Sequence, residues 1–123
     1  MPIGHVLVRV AQADFAPTVQ FYTTLLKTLG LNVLPGFPEG MVGFGTAGPE
    51  FVLKASDKSS YTHVAFQAAD TKAVDAFHAA ALSASGKDNG APGIRAGIHP
   101  RYYAAFIYDP LGNNIEAGTL TAA

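Results

Sequence analysis

The chain has 123 residues, 49% of them apolar and 14% charged, with a formal net charge of −1, which suits one domain, residues 1–123, and gives neither nucleic acid nor an anionic membrane surface much to attract. No cysteine is present, which excludes disulfides, thiolate metal sites and a cysteine nucleophile. There is no signal-peptide pattern and no apolar run near the roughly 20 residues of a membrane span, so a soluble cytoplasmic protein is expected, and a surface so poor in charge is expected to be partly covered in a homodimer.

In chain order, Ile3 to Val10 alternates as a strand, with Val6, Val8 and Val10 on one face and His5, Leu7 and Arg9 on the other. The valine face should receive a helix. Asp14 is placed to cap that helix, Pro17 is tolerated in its first turn, and Val19, Tyr22, Leu26 and Leu29 recur at helical spacing up to Gly30, which suits a left-handed terminus. From Leu31 to Leu53, glycines and prolines separate three short apolar pieces, Leu31–Leu34, Met41–Phe44 and Phe51–Lys54, which predicts brief strands joined by tight turns. One strand, one helix and three strands make a βαβββ unit, here residues 1–56.

The pattern then starts again. His63 to Ala68 predicts a strand with Val64, Phe66 and Ala68 toward a helix, which Asp70 caps and Gly86 ends, with Val74, Phe77, Ala81 and Ala84 on its apolar stripe. Asp14 and Asp70, Phe21 and Phe77, Leu26 and Leu82, and Gly30 and Gly86 all stand 56 positions apart, while His5 and His63 are 58 apart. Matches at one offset identify an internal repeat, and residues 57–123 form its second module. Lys87 to Pro100 is expected to be a long loop, able to fold over a cleft as a lid. Arg101–Tyr108 and Asn113–Thr119 should form a hairpin around Asp109-Pro110-Leu111-Gly112, with Asp109 accepting turn N–H bonds.

On the faces away from the helices stand His5 and Arg9 in one module, and His63 and Gln67 in the other. Such faces suit a cleft better than a core, because buried polar groups need partners. Glu116 sits in the last strand among Ile115, Ala117 and Gly118, where a carboxylate is costly to bury without a cation or several donors. Two imidazoles and a carboxylate form a 2-His-1-carboxylate set with open positions for one divalent cation, Zn, Ni, Mn, Co or Fe(II). Aligning the two final strands sets Val52 opposite Glu116, so module one offers no second carboxylate unless a register change brings in Glu50.

The repeated βαβββ units, the leading histidine of each, the helix from Phe21 to Gly30 and the run Asp109-Pro110-Leu111-Gly112-Asn113-Asn114-Ile115-Glu116 resemble the vicinal oxygen chelate superfamily, which includes glyoxalase I, extradiol dioxygenases, epimerases and bleomycin-resistance proteins. The resemblance spans the chain, although Leu111 replaces the usual aspartate of the last turn. It implies an α+β glyoxalase-like fold of two tandem modules forming a curved, cleft-containing mixed sheet, often assembled from two chains. It places the metal ligands at His5, His63 and Glu116, with Glu116 also the catalytic group. The substrate, a small molecule bound through neighbouring oxygens, would meet Arg9, Tyr102, Phe106 and His99. The implied activity is of lyase, isomerase, epimerase or dioxygenase type, and the alternative is a metal-free binding protein.

Overall fold

In the computed structural model, which describes residues 3–122, the chain runs β1 (Val6–Ala11), a 3-10 turn (Gln12–Asp14), α1 (Phe15–Lys27), β2 (Asn32–Leu34), β3 (Met41–Gly45), β4 (Pro49–Ser56), β5 (His63–Gln67), α2 (Thr71–Ser83), β6 (Lys87–Ile94), β7 (Tyr102–Tyr108) and β8 (Asn114–Leu120). These make two four-stranded sheets ordered β1-β4-β3-β2 and β5-β8-β7-β6. In each, the first and last strands of the module pair in parallel and the rest are antiparallel. Both expected βαβββ units are therefore present. Among the described residues no helix is long and apolar enough to cross a membrane.

The register bears out the repeat. Leu7 pairs with Val52 in the first sheet and Ala65 with Glu116 in the second, so Glu116 and Val52 hold equivalent places. A bulge at the start of β4 sets Phe44 opposite Phe51 but Gly45 opposite Pro49, leaving Glu50 as the extra residue. Glu50 is exposed and accepts a hydrogen bond from Thr46 at 3.3 Å.

Each sheet turns one face toward a single apolar core. Val8, Val10, Phe51 and Leu53 line it from the first module and Phe77, Ala81, Ile107, Ile115 and Ala117 from the second, all buried. The α1 stripe is wider than the periodicity implies, with Thr18, Phe21, Tyr22, Leu25 and Leu26 buried, because α1 packs on α2 as well as on its own sheet. Phe51 and Phe66 meet edge to face at 5.4 Å between the sheets. The Tyr22 hydroxyl donates to Asp109 Oδ2 at 2.5 Å, tying the first helix to the last turn. Asp109 is buried and also accepts from the backbone N–H groups of Leu111 and Asn113 and from Asn113 Nδ2. The turn keeps its bonds with leucine at 111, which packs against the core.

Two expectations are corrected. Lys87–Ile94 is strand β6, hydrogen-bonded to β7, and only the segment between Ile94 and Tyr102 is a turn. Irregular register at Asp88, Gly90 and Gly93 erases the alternation that would reveal the strand. Asp14 makes no side-chain cap, since the 3-10 turn precedes the helix and Thr18 instead donates to the Asp14 carbonyl; Asp70 does cap α2, accepting from Ala73 N at 2.8 Å. After α2 the left-handed residue is Ser85, with φ 77°, while Gly86 is required for space, because a Cβ there would press on Phe21 and the Ala81 carbonyl.

Burial, with the adjacent Asp109 charge and hydrogen bond, pushes the Tyr22 hydroxyl well above its ordinary range. Tyr22→Phe is expected to cost about 2 kcal/mol in urea unfolding at pH 7, the loss of a hydrogen bond to a charged group. The unfolded chain releases this proton near pH 10 and the folded chain does not, so wild type loses stability above about pH 10 and the gap to Tyr22→Phe narrows there.

Candidate functional site

Because α1 and α2 pack together in the middle, the opposite, concave face of each sheet looks outward. On module two this face is built by one row across the sheet: His63 on β5, Glu116 on β8 two residues beyond its register partner Asn114, Phe106 paired with Glu116 on β7, and Gly90 paired with Phe106 on β6. The His63 imidazole, about half exposed, places Nε2 2.8 Å from Oε1 of the buried Glu116. Against an ionised carboxylate, which only accepts, Nε2–H is the donor of this bond. The Tyr102 hydroxyl donates to Glu116 Oε2 at 2.6 Å. Burial, followed by the Glu116 hydrogen bond and charge, pushes Tyr102 up to about 12, so it stays protonated as a donor.

Glycine makes this arrangement possible. Tyr102 reaches Glu116 by lying across Gly118, where any Cβ would overlap its ring. On module one the same device admits Phe37, whose ring occupies the place of a Cβ on Gly43 and roofs the face that carries Leu7 and Val52. Phe37 was not singled out by the sequence reading. Its flanking Pro35, Gly36 and Pro38 mark a turn and conceal a wall residue.

The remaining candidates are spread over the two faces. His5 is exposed immediately before β1, and Arg9 is exposed on the concave side beside its register partner Lys54. Phe106 stands between His63, 6.3 Å away by ring centroids, and the guanidinium of Arg95. His99 lies in the β6–β7 turn, where its Nδ1 accepts from Arg101 N at 3.0 Å. Tyr103 is on the opposite face and donates to Asp75 Oδ1 at 2.6 Å. Among the described residues, no three His, Asp or Glu side chains come together in one chain as a metal-holding group. Once the Nε2 proton is lost, His63 and Glu116 present two lone pairs to one point, which suits a divalent cation; His5, on the other module, is not brought to them.

A groove of about 540 Å³ lies beside this site, between the outer edge of β5 from Val64 to Gln67 and module one, at Ile3 and Gly4 before β1 and at Glu50 near the start of β4. Among the described residues, the outer edge of β5 carries no strand partner. Among the described residues, the linker covers the edge of β1 through Ser59 and Ser60 at Arg9 and Ala11.

No family model matches the chain, and no curated protein matches its sequence. Solved structures do. A glyoxalase/bleomycin resistance protein from Albidiferax ferrireducens superposes with a TM-score of 0.81 at 26% identity, over 96% of this chain and 98% of that one. A glyoxalase/bleomycin resistance protein/dioxygenase family enzyme from Burkholderia phytofirmans gives 0.71 at 18% identity, over 94% and 97%. TioX from Micromonospora gives 0.69 at 14% identity, over 96% and 99%. The chain therefore has the α+β fold of the vicinal oxygen chelate superfamily, the group its motifs resemble.

Proposed function

We propose that two copies of this chain build a cleft in which one divalent cation and a small substrate with neighbouring oxygens meet, for a reaction of lyase, isomerase, epimerase or dioxygenase type. The observation that carries this reading is the convergence of His63 and Glu116 on the concave face of one module, while His5 opens the equivalent strand of the other. Within one chain the concave faces point apart, so a second copy is what brings His5 to His63 and Glu116. The partly open edge of β1 and the open edge of β5 are where the copies would join, since an unpaired strand edge is a template for another chain.

When bound, the cation supplies Lewis acidity at the substrate oxygens. The chain's own residues do the rest. Tyr102 fixes one oxygen of Glu116 and leaves the other toward His63, which holds the carboxylate in a single orientation. Phe106 and Phe37 provide apolar walls, and Glu116, on the face proposed to line the cleft, is the group placed to accept a proton from the substrate once the substrate takes the place of His63 at Oε1.

A metal-free binding protein is the second reading, favoured by one observation: both oxygens of Glu116 already have partners, His63 and Tyr102. Metal content by elemental mass spectrometry decides between them. The proposal expects close to one divalent ion per wild-type chain and little in His5→Ala or His63→Ala alone. Mixing these two variants and allowing subunits to exchange should restore about a quarter of the wild-type content, because half of the dimers are mixed and each has one intact site of two. No recovery on mixing would place the whole site in one chain, and a metal-free wild type after incubation with each ion would establish the second reading.

Tyr102→Phe should weaken metal affinity roughly tenfold, as removal of a residue that orients a ligand does. An unchanged affinity in a competition titration against a chelator would reduce Tyr102 to packing.

A further inference from the structure

Module two's concave face holds a charged side chain that the His63–Glu116 pair does not use. Arg95 follows β6 and folds back over it, placing its guanidinium carbon 5.3 Å from the centre of the Phe106 ring. Its Nη2 donates to the carbonyls of Ala91 and Ala104. Gly90 makes the room, since a Cβ there would press on both Nη2 and Phe106, at 3.1 and 3.2 Å. The guanidinium is thus stacked, tethered and rigid.

Among the described residues its other donors have no partner. Nε is buried without an acceptor, and Nη1 makes no hydrogen bond among the described residues. No carboxylate there lies within ion-pair distance of Arg95, the pairs being His63–Glu116 and His78–Asp88. A fixed cation with idle donors in a concave face is a site shaped for an anion. Arg9 and Lys54, side by side on module one's concave face, also lack carboxylate partners among the described residues, although the chain as a whole has a net charge of −1. Unpaired positive charge is therefore concentrated on the faces proposed to form the cleft.

We infer that Arg95 anchors the carboxylate of a small organic acid whose body lies on Phe106 and whose far end reaches His63 and Glu116. A single guanidinium matches one negative charge, which favours a carboxylate over a dianionic phosphate. The role of the far end rests on the cleft proposed above; the anchor itself does not.

The test uses chelator-treated full-length protein, so that metal plays no part, titrated with benzoate, benzyl alcohol or inorganic phosphate. Benzoate should shift the Arg95 Nε–H resonance in wild type, and calorimetry should show affinity falling about tenfold or more in Arg95→Gln, the loss of a charge-assisted anchor. Arg95→Lys should fall between the two, keeping the charge but not the stack. Benzyl alcohol binding as well as benzoate, phosphate binding more tightly than benzoate, or an Nε–H resonance unmoved by benzoate would each overturn the proposal. The wild-type resonance decides the matter even if Arg95→Gln fails to fold. Metal content of Arg95→Gln, separately measured at the wild-type level, would show that the anchor has been removed without the metal pair, so the two proposals stand or fall independently.

Discussion

The structure depends on two helices sharing one core. Each βαβββ module is a sheet with a helix on one side, and either module alone would leave an apolar helix surface in water. Packing α1 against α2, with Phe51 on Phe66 and Tyr22 bonded to Asp109, buries both surfaces at once. The consequence for function is geometric. With the helices inside, the faces bearing Arg9 on one module and His63 and Glu116 on the other are turned outward, which is why the cleft proposed above takes its second wall from another chain.

The concave faces are made as much by missing side chains as by those present. Gly43 admits Phe37, Gly118 admits Tyr102 and Gly90 admits the stacked Arg95 and Phe106. Each lets a large side chain lie flat on the sheet, and each fixes a group near the site that a β-carbon would displace. Tyr102 lying across Gly118 is what satisfies the Glu116 oxygen remote from His63. A buried carboxylate with a partner on each oxygen is held in one orientation.

Much of this was legible in the sequence because the chain states its plan twice. The repeat at 56 residues fixed the module boundaries, the alternation of Val6, Val8 and Val10 separated core from cleft, and the alignment of Val52 with Glu116 survives in the register. What was hidden has identifiable causes. Strand β6 carries irregular register, two glycines and a proline, so it lacks the period-two patterning that marks a strand. Phe37 and Arg95 reach the concave faces from turns, where side-chain direction follows from backbone angles rather than from any periodicity. The separation of His5 from His63 was equally invisible, since strand alternation orients a residue relative to its own sheet but not one sheet relative to another.

The central claim is that helix-to-helix packing within the chain leaves the cleft to be completed by a second copy. Sedimentation velocity on the wild-type chain tests it most directly. The account predicts a species of twice the 12.8 kDa chain mass across the micromolar range; a 12.8 kDa monomer at every concentration, with metal or without, would contradict it.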